Sequence, residues 1–263
     1  MWRWLLLLTA LLALQVHGQQ QYSYKVLESK PQSRQNFVQG LEIVGEYLYV
    51  GTGHYGQSRL LRYRLADGEL ERGQQLNPTL FGEGITVLDG KVYQLTWQNR
   101  MALVYREEDL KPLEWFAITG EGWGLTNDGE QLIYSDGSHL LYFLDAKTRQ
   151  VTRRLAVTEN GLPLIRLNEL EWIDGSIWAN VWGTDRIVII DGDSGEVTGS
   201  INLTGLLPLE QRIPGTDVLN GIARNPANGD IWVTGKRWPY LYRIELVPIE
   251  SSETEALPAP ESR

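Results

Sequence analysis

Glu83 lies between two glycines in FGEGITVLDGKVYQLTW, Phe81 to Trp97, just ahead of a strand-like run that ends in a tryptophan. Glycine on each side frees the backbone and removes shielding side chains, so a charged group there can sit at the mouth of a cavity. The chemistry a lone carboxylate offers is proton transfer, as general base and then as general acid. A solvated turn, where Gly and Glu are both common, explains an isolated Gly-Glu-Gly just as simply. No metal-ligand spacing accompanies Glu83: the chain has no cysteine, and His17, His54 and His139 are far apart. No metal and no cofactor is therefore expected. What separates the catalytic reading from the turn is that the pattern recurs.

The recurrence is carried by turn glycines that precede aromatic or β-branched runs: Gly45 before YLYVGTG, Gly90 before VYQLTW, Gly129 before LIYSDGS, Gly175 before IWANVWG and Gly229 before IWVTGK. Their spacings are 45, 39, 46 and 54 residues. Units of this length suggest a propeller in which each unit is a four-stranded sheet. Each run is preceded by a short strand (GLEIV, GITVL, GLTND, ELEWI, GIARN) and followed by a third (LLRYRL, ALVYRE, LLYFLD, RIVIID, YLYRIEL). A fourth strand is expected near LERGQQL, LEWFAIT, TRRLAV and VTGSINL, but the last unit has none of its own. The N-terminal segment Tyr22 to Glu28, YSYKVLE, is expected to fill that place and close the ring, hiding sheet edges. The expected fold is thus all-β, a five-bladed β-propeller over 19–248.

In antiparallel neighbours, the start of the first strand and the end of the second lie at the same end of the sheet. In a propeller that end surrounds the mouth of the central channel. The first-strand starts are Gln39, Glu83, Trp123, Asn168 with Glu169, and Asn220; the second-strand ends are Thr52, Trp97, Asp136, Trp182 and Lys236. These types differ from unit to unit, as expected of a site grafted onto a symmetric scaffold. Singly, each has a plainer reading: the tryptophans as packing between blades, Lys236 as a turn lysine, Asn168 and Asn220 as capping amides. Asp136 in SDGS reads as a turn residue, and Asp217 as a brace for its loop.

The chain has 263 residues, 42% of them hydrophobic and 22% charged, with a net charge of −9. That balance suits a soluble globular protein and makes nucleic acid and anionic membranes poor partners. MWRWLLLLTALLALQVHG, residues 1–18, reads as a secretory signal peptide, with an early Arg3, an apolar run and Gly18 before QQQ. Export of a cysteine-free chain points to a bacterial periplasm or the medium. Residues 249–263 read as a polar, disordered tail. A monomer is expected.

The chain resembles the plant and bacterial glutaminyl-peptide cyclotransferases, also called glutamine cyclotransferases. The matching stretches run in order from Asn36 to Pro239: NFVQGLE, TGHYGQS, FGEGIT, YQLTW, GEGWGLT, YSDGS, LNELEW, ANVW, DVLNGIA and VTGKRWP. Val38 stands where the family often has Thr, and Gly51 where Ser is common. The resemblance implies a five-bladed propeller that converts N-terminal glutaminyl residues of peptides and proteins to pyroglutamyl with release of ammonia, without the zinc of the animal enzymes. It also implies that Glu83 is the catalytic carboxylate and that Phe37, Gln39, Phe81, Trp97, Trp123, Asn168, Trp182 and Lys236 form the substrate pocket.

The residue types suit that reaction. One carboxylate can take a proton from the attacking amine and give it to the departing nitrogen. Amides such as Gln39 and Asn168 can support a carboxamide oxygen that turns negative, and tryptophan walls can exclude water. Two other readings compete: a non-enzymatic periplasmic propeller that binds a peptide or sugar, and a glycoside-cleaving enzyme pairing Glu83 with Glu169 or Glu171.

Overall fold

The structure, a computed structural model, describes residues 19–250; the expected signal peptide at 1–18 and residues 251–263 of the expected tail lie outside the described residues. Strand β1 (Gln20–Pro31) is followed by four strands in one sheet, β2 (Val38–Val44), β3 (Tyr47–Thr52), β4 (Arg59–Arg64) and β5 (Leu70–Gln75). A second sheet holds β6 (Gly82–Leu88), β7 (Lys91–Thr96), β8 (Met101–Arg106) and β9 (Pro112–Ala117). A third holds β10 (Leu125–Asn127), β11 (Gln131–Ser135), β12 (Leu140–Asp145) and β13 (Val151–Ala156). A small hairpin, β14 (Thr158–Glu159) with β15 (Leu162–Pro163), follows it and was not expected. Then come β16 (Leu167–Ile173), β17 (Ser176–Val181), β18 (Arg186–Asp191) and β19 (Val197–Asn202), and finally β20 (Leu219–Arg224), β21 (Ile231–Gly235) and β22 (Tyr240–Ile249). Among the described residues the only helical element is a 3-10 turn, Leu209–Gln211. The fold is all-β and propeller-like.

The last seven strands and β1 form one sheet in the order β16-β17-β18-β19-β1-β22-β21-β20. Strand β1 runs antiparallel to β22 from Gln21↔Ile249 to Pro31↔Tyr240, and parallel to β19 at Gln20 to Tyr22. The N-terminal strand therefore completes the last group of strands, over a longer span than Tyr22 to Glu28. Its pairing also corrects the expected tail boundary: Ile249 is the last residue of β22, because Gln21 gives its backbone a partner that the polar sequence around it does not reveal.

The turn glycines mark strand junctions for a steric reason. Gly45, Gly90, Gly129, Gly175 and Gly229 all have positive φ, and Asp89 and Asp174, each preceding one of them, do too. Two successive positive φ values are what a tight two-residue hairpin needs.

Strands β2, β6, β10, β16 and β20 contact one another in turn, β20 returning to β2, so they line a central axis. The apolar core fills the slots between neighbouring sheets: Leu60 and Tyr49 pack with Ile85 and Val92, Leu95 with Leu125 and Tyr134, and Ile133 with Leu170 and Ile177. Outer strands such as β5 are largely exposed.

Near the axis the inner strands approach very closely. A Cβ on Gly84 would come within 2.7 Å of the Trp123 carbonyl oxygen, and one on Gly124 would fall on the backbone of Asn168. In the fourth unit Glu169 takes the place of that glycine. Its carboxylate, 0% exposed, reaches across the axis and accepts from the backbone N–H of Leu41 at 3.1 Å and of Ile222 at 2.8 Å. Glu169→Ala would leave both buried N–H groups unpaired, at a cost of about 1–3 kcal/mol each. Burial pushes Glu169 well above the usual carboxylate range, so the loss is best read at low pH, where relief of an ionisation penalty offsets it least. A denaturant midpoint at pH 5 equal to that of the parent protein would exclude this role.

Candidate active site

A β-bulge opens four of the five inner strands. The ladder jumps between Val38 and Gly40, Gly82 and Ile85, Leu167 and Leu170, and Leu219 and Ile222. The residues skipped are Gln39, Glu83 with Gly84, Asn168 with Glu169, and Asn220 with Gly221. A bulge leaves its extra residue outside the ladder and re-aims it. This is how side chains of an otherwise fully paired strand turn into the space over the axis. Gly84 is held there by its N–H, which donates to the Trp123 carbonyl oxygen at 2.7 Å.

The result is a cavity of about 390 Å³ lined by Phe37, Gln39, Phe81, Glu83, Trp97, Trp123, Asn168, Trp182, Asp217 and Lys236. The nine residues that the family resemblance assigns to the site all line it, whereas Thr52 and Asn220, also placed at the mouth by the repeat, do not. Asp217, read from sequence as a loop brace, both accepts from the Val218 N–H and lines the cavity. Glu169 and Glu171 do not: Glu169 spans the axis below, and Glu171 lines a separate depression with Glu42 and Trp172. Asp136 is a turn residue, accepting from Ser138 N–H and from the Tyr142 hydroxyl.

Glu83 is 5% exposed. Its Oε1 accepts from Gln39 Nε2 at 3.0 Å, and Gln39 Oε1 in turn accepts from Asn220 Nδ2 at 3.3 Å, so a line of amides orients the carboxylate. Burial holds Glu83 well above the usual carboxylate range; the Lys236 ammonium pulls it back and Glu121 pushes it further up. Burial likewise lowers Lys236 from its ordinary value, against the opposing pull of Glu83 and Asp217. The two act on each other through space, since no ion pair within 4.0 Å joins them among the described residues. Lys236 Nζ stands 5.0 Å from the Phe37 ring centroid.

The aromatic wall is fixed by a residue that sequence reasoning missed. Glu121 Oε2 accepts from both Trp97 Nε1, at 2.7 Å, and Trp123 Nε1, at 3.0 Å. Trp123 packs edge-on to Trp182 with centroids 6.0 Å apart, and Phe81 to Trp97 at 5.6 Å. The signal available in the sequence was the stretch GEGWGLT, which places Glu121 two residues before Trp123. Asn168 contributes the one amide of the cavity that makes no side-chain hydrogen bond among the described residues, and its Oδ1 is buried without a partner.

The glutamine cyclotransferase family profile matches residues 4–246. This chain belongs to the glutamine cyclotransferase family. It is 38% identical over 228 residues to the glutaminyl-peptide cyclotransferase of Arabidopsis thaliana, covering 84% of this chain and 71% of that protein. Its structure is similar to the crystal structure of Myxococcus xanthus glutaminyl cyclase, with a TM-score of 0.82 and 29% identity over 88% of this chain and 100% of the other. Among the described residues of this family member, no three His, Cys, Asp or Glu side chains group as metal ligands, and no helix is long and apolar enough to cross a membrane.

Proposed function

We propose that this protein cyclises N-terminal glutaminyl residues of peptides and proteins to pyroglutamyl, releasing ammonia. The observation that carries the reading is Glu83, a buried carboxylate set among aromatic walls in a cavity of about 390 Å³, on the scaffold of the glutamine cyclotransferase family. The neutral α-amine attacks the γ-carboxamide carbon. As that C–N bond forms, Glu83 takes a proton from the amine, and the raised proton affinity that burial gives it suits a base working near neutral pH. The same proton goes to the amide nitrogen, the second C–N bond breaks, and ammonia leaves with the lactam carbonyl restored.

Gln39 is engaged with Glu83, so its part is to aim the carboxylate. Asn168, its amide unengaged, is the donor available to the carboxamide oxygen as negative charge grows there. Trp97, Trp123 and Trp182 hold the aliphatic stem and keep water from competing with the amine. Phe37, Phe81 and Lys236 complete the wall. The glycosidase reading pairs Glu83 with Glu169 or Glu171, and both of those lie outside the cavity.

We read the fold as five blades, a reading supported by dividing the eight-stranded sheet between β19 and β1 and assigning β1 to the last blade. The protein acts alone, as a monomer, and is secreted or periplasmic, in keeping with the signal-like composition of residues 1–18. The experiment is ammonia release from the dipeptide H-Gln-Ala by purified protein, with and without chelator. Equimolar ammonia and pyroglutamyl product are expected in both, because the chain offers no cysteine and two widely separated histidines beyond residue 18. Dipeptide recovered unchanged would mean a binding protein; loss of activity on chelation with rescue by zinc would mean a metal enzyme.

A further inference from the structure

Beside the cavity, on the same face of the molecule, lies a second depression of about 450 Å³ lined by Arg34, Arg59 and Arg237 with the side chains of Gln57 and Gln75. Arg34 is in the β1–β2 connection, Arg59 starts β4, Gln75 ends β5, and Arg237 follows Lys236 in the β21–β22 connection. These are the ends of the sheets that also carry Gln39, Thr52 and Lys236. Phe37 joins the two spaces: it lines the first cavity, and the Arg237 guanidinium carbon is 5.8 Å from its ring centroid.

In a chain of net charge −9, three arginines gathered without a carboxylate partner call for a reason. Among the described residues none of them takes part in an ion pair within 4.0 Å. Arg34 is used structurally, donating to the Gln211 carbonyl oxygen at 2.8 Å and to Thr216 Oγ1 at 3.3 Å. Arg59 and Arg237 are different. Both are half-buried, neither guanidinium donates a hydrogen bond among the described residues, and the Nε of each is shut off from solvent without an acceptor. A guanidinium presents several donors in a fixed plane suited to a carboxylate, and leaving a buried donor unmatched is costly. Asp217, whose charge reaches His54 and Lys236, lines the other cavity and does not supply the missing acceptor.

We propose that this depression is a subsite for acidic side chains of the peptide that follows the N-terminal glutamine, an inference that rests on the cyclase reading above. At about 3.3–3.6 Å per extended residue, a chain leaving the first cavity past Phe37 reaches the arginines about two to four residues after the glutamine. The peptide carboxylates then accept from Arg59 and Arg237, and the side chains of Gln57 and Gln75 flank them.

The test compares C-terminally amidated H-Gln-Ala-Glu-Glu-Ala with H-Gln-Ala-Gln-Gln-Ala and H-Gln-Ala-Lys-Lys-Ala, and uses H-Gln-Ala as the reference. The acidic peptide is expected to exceed the neutral one about 3- to 10-fold in kcat/KM, mostly through KM, since partly exposed ion pairs are individually modest. The preference should collapse between about 0.02 M and about 0.5 M salt as screening shortens the Debye length. Arg59→Gln should lose most of the preference and Arg59→Glu should favour the lysine peptide, both with H-Gln-Ala turnover unchanged. Equal kcat/KM for the acidic and neutral peptides, alongside normal H-Gln-Ala turnover, overturns the subsite and leaves the cyclase reading standing. No turnover of any peptide by the parent protein overturns the reading and the subsite with it. A preference that survives in both Arg59 variants also overturns the assignment.

Discussion

Replacing Glu83 with Gln lowers cyclisation by about 10²- to 10⁴-fold, the usual range for a positioned general acid-base group, while the protein becomes more stable at neutral pH. The first effect follows from the cavity: Glu83 is the carboxylate buried in it, and the substitution keeps shape and the acceptor for Gln39 but removes the proton-carrying group. The second follows from the direction of its shift. Burial raises the folded-state affinity of Glu83 for a proton above the unfolded value of 4.5. The parent protein therefore loses stability as pH rises from the unfolded value through the folded one, and the Gln variant does not. The gain is expected to be absent below about pH 4.5 and to grow from there toward alkaline pH. Parallel melts at pH 4.5 and pH 8 together with ammonia-release rates check both halves. Near-normal turnover, or a variant less stable than the parent at pH 8, would remove Glu83 from its proposed role.

Deleting Gln20–Pro31 is expected to cost most of the folding free energy. Strand β1 pairs with β22 along almost its whole length and, at Gln20 to Tyr22, with Gly199 to Ile201 of β19, and Tyr22 and Tyr24 pack on the core cluster of Trp178, Ile201 and Tyr242. Cross-strand hydrogen bonds at about 0.5–1.5 kcal/mol each and the lost apolar burial together rival the ~5–15 kcal/mol that stabilise a typical domain. The exposed edges of β22 and β19 would also invite aggregation. The truncated chain is expected to be insoluble or to melt well below the full protein, and a synthetic Gln20–Pro31 peptide added during refolding should restore soluble, active protein. A truncation that melts within a few degrees of the parent would show that the ring does not depend on its N-terminal strand.

Much of this was legible in the chain because it rests on local rules. The glycines at 45, 90, 129, 175 and 229 announce hairpins, since positive φ favours glycine, and alternating apolar residues announce the strands around them. Antiparallel pairing then places Gln39, Glu83, Trp123 and Asn168 at the same end as Trp97, Trp182 and Lys236. That is why these seven, now found around one cavity, could be named from spacing, whereas the pocket roles of Phe37 and Phe81 came from the resemblance to the family. The last strand's end was not legible: Ile249 looks like the start of a polar tail until Gln21, far away in sequence, supplies its partner.

The remainder is a matter of through-space contact. No periodicity marks the bulges that turn Gln39, Glu83, Asn168 and Asn220 out of their ladders, because a bulge is a mismatch between two strands rather than a property of one. Glu121 acquires its role only when Trp97, from the preceding sheet, comes within 2.7 Å of the oxygen that also holds Trp123. Glu83 and Glu169 both stand at the start of an inner strand, one position apart in the repeat, Glu83 aligning with Asn168 and Glu169 with Gly84. Tertiary structure separates them: Glu169 meets the N–H groups of Leu41 and Ile222 across the axis and is used up in holding strands together, whereas Glu83 meets one amide and an open cavity, which leaves its proton free to move.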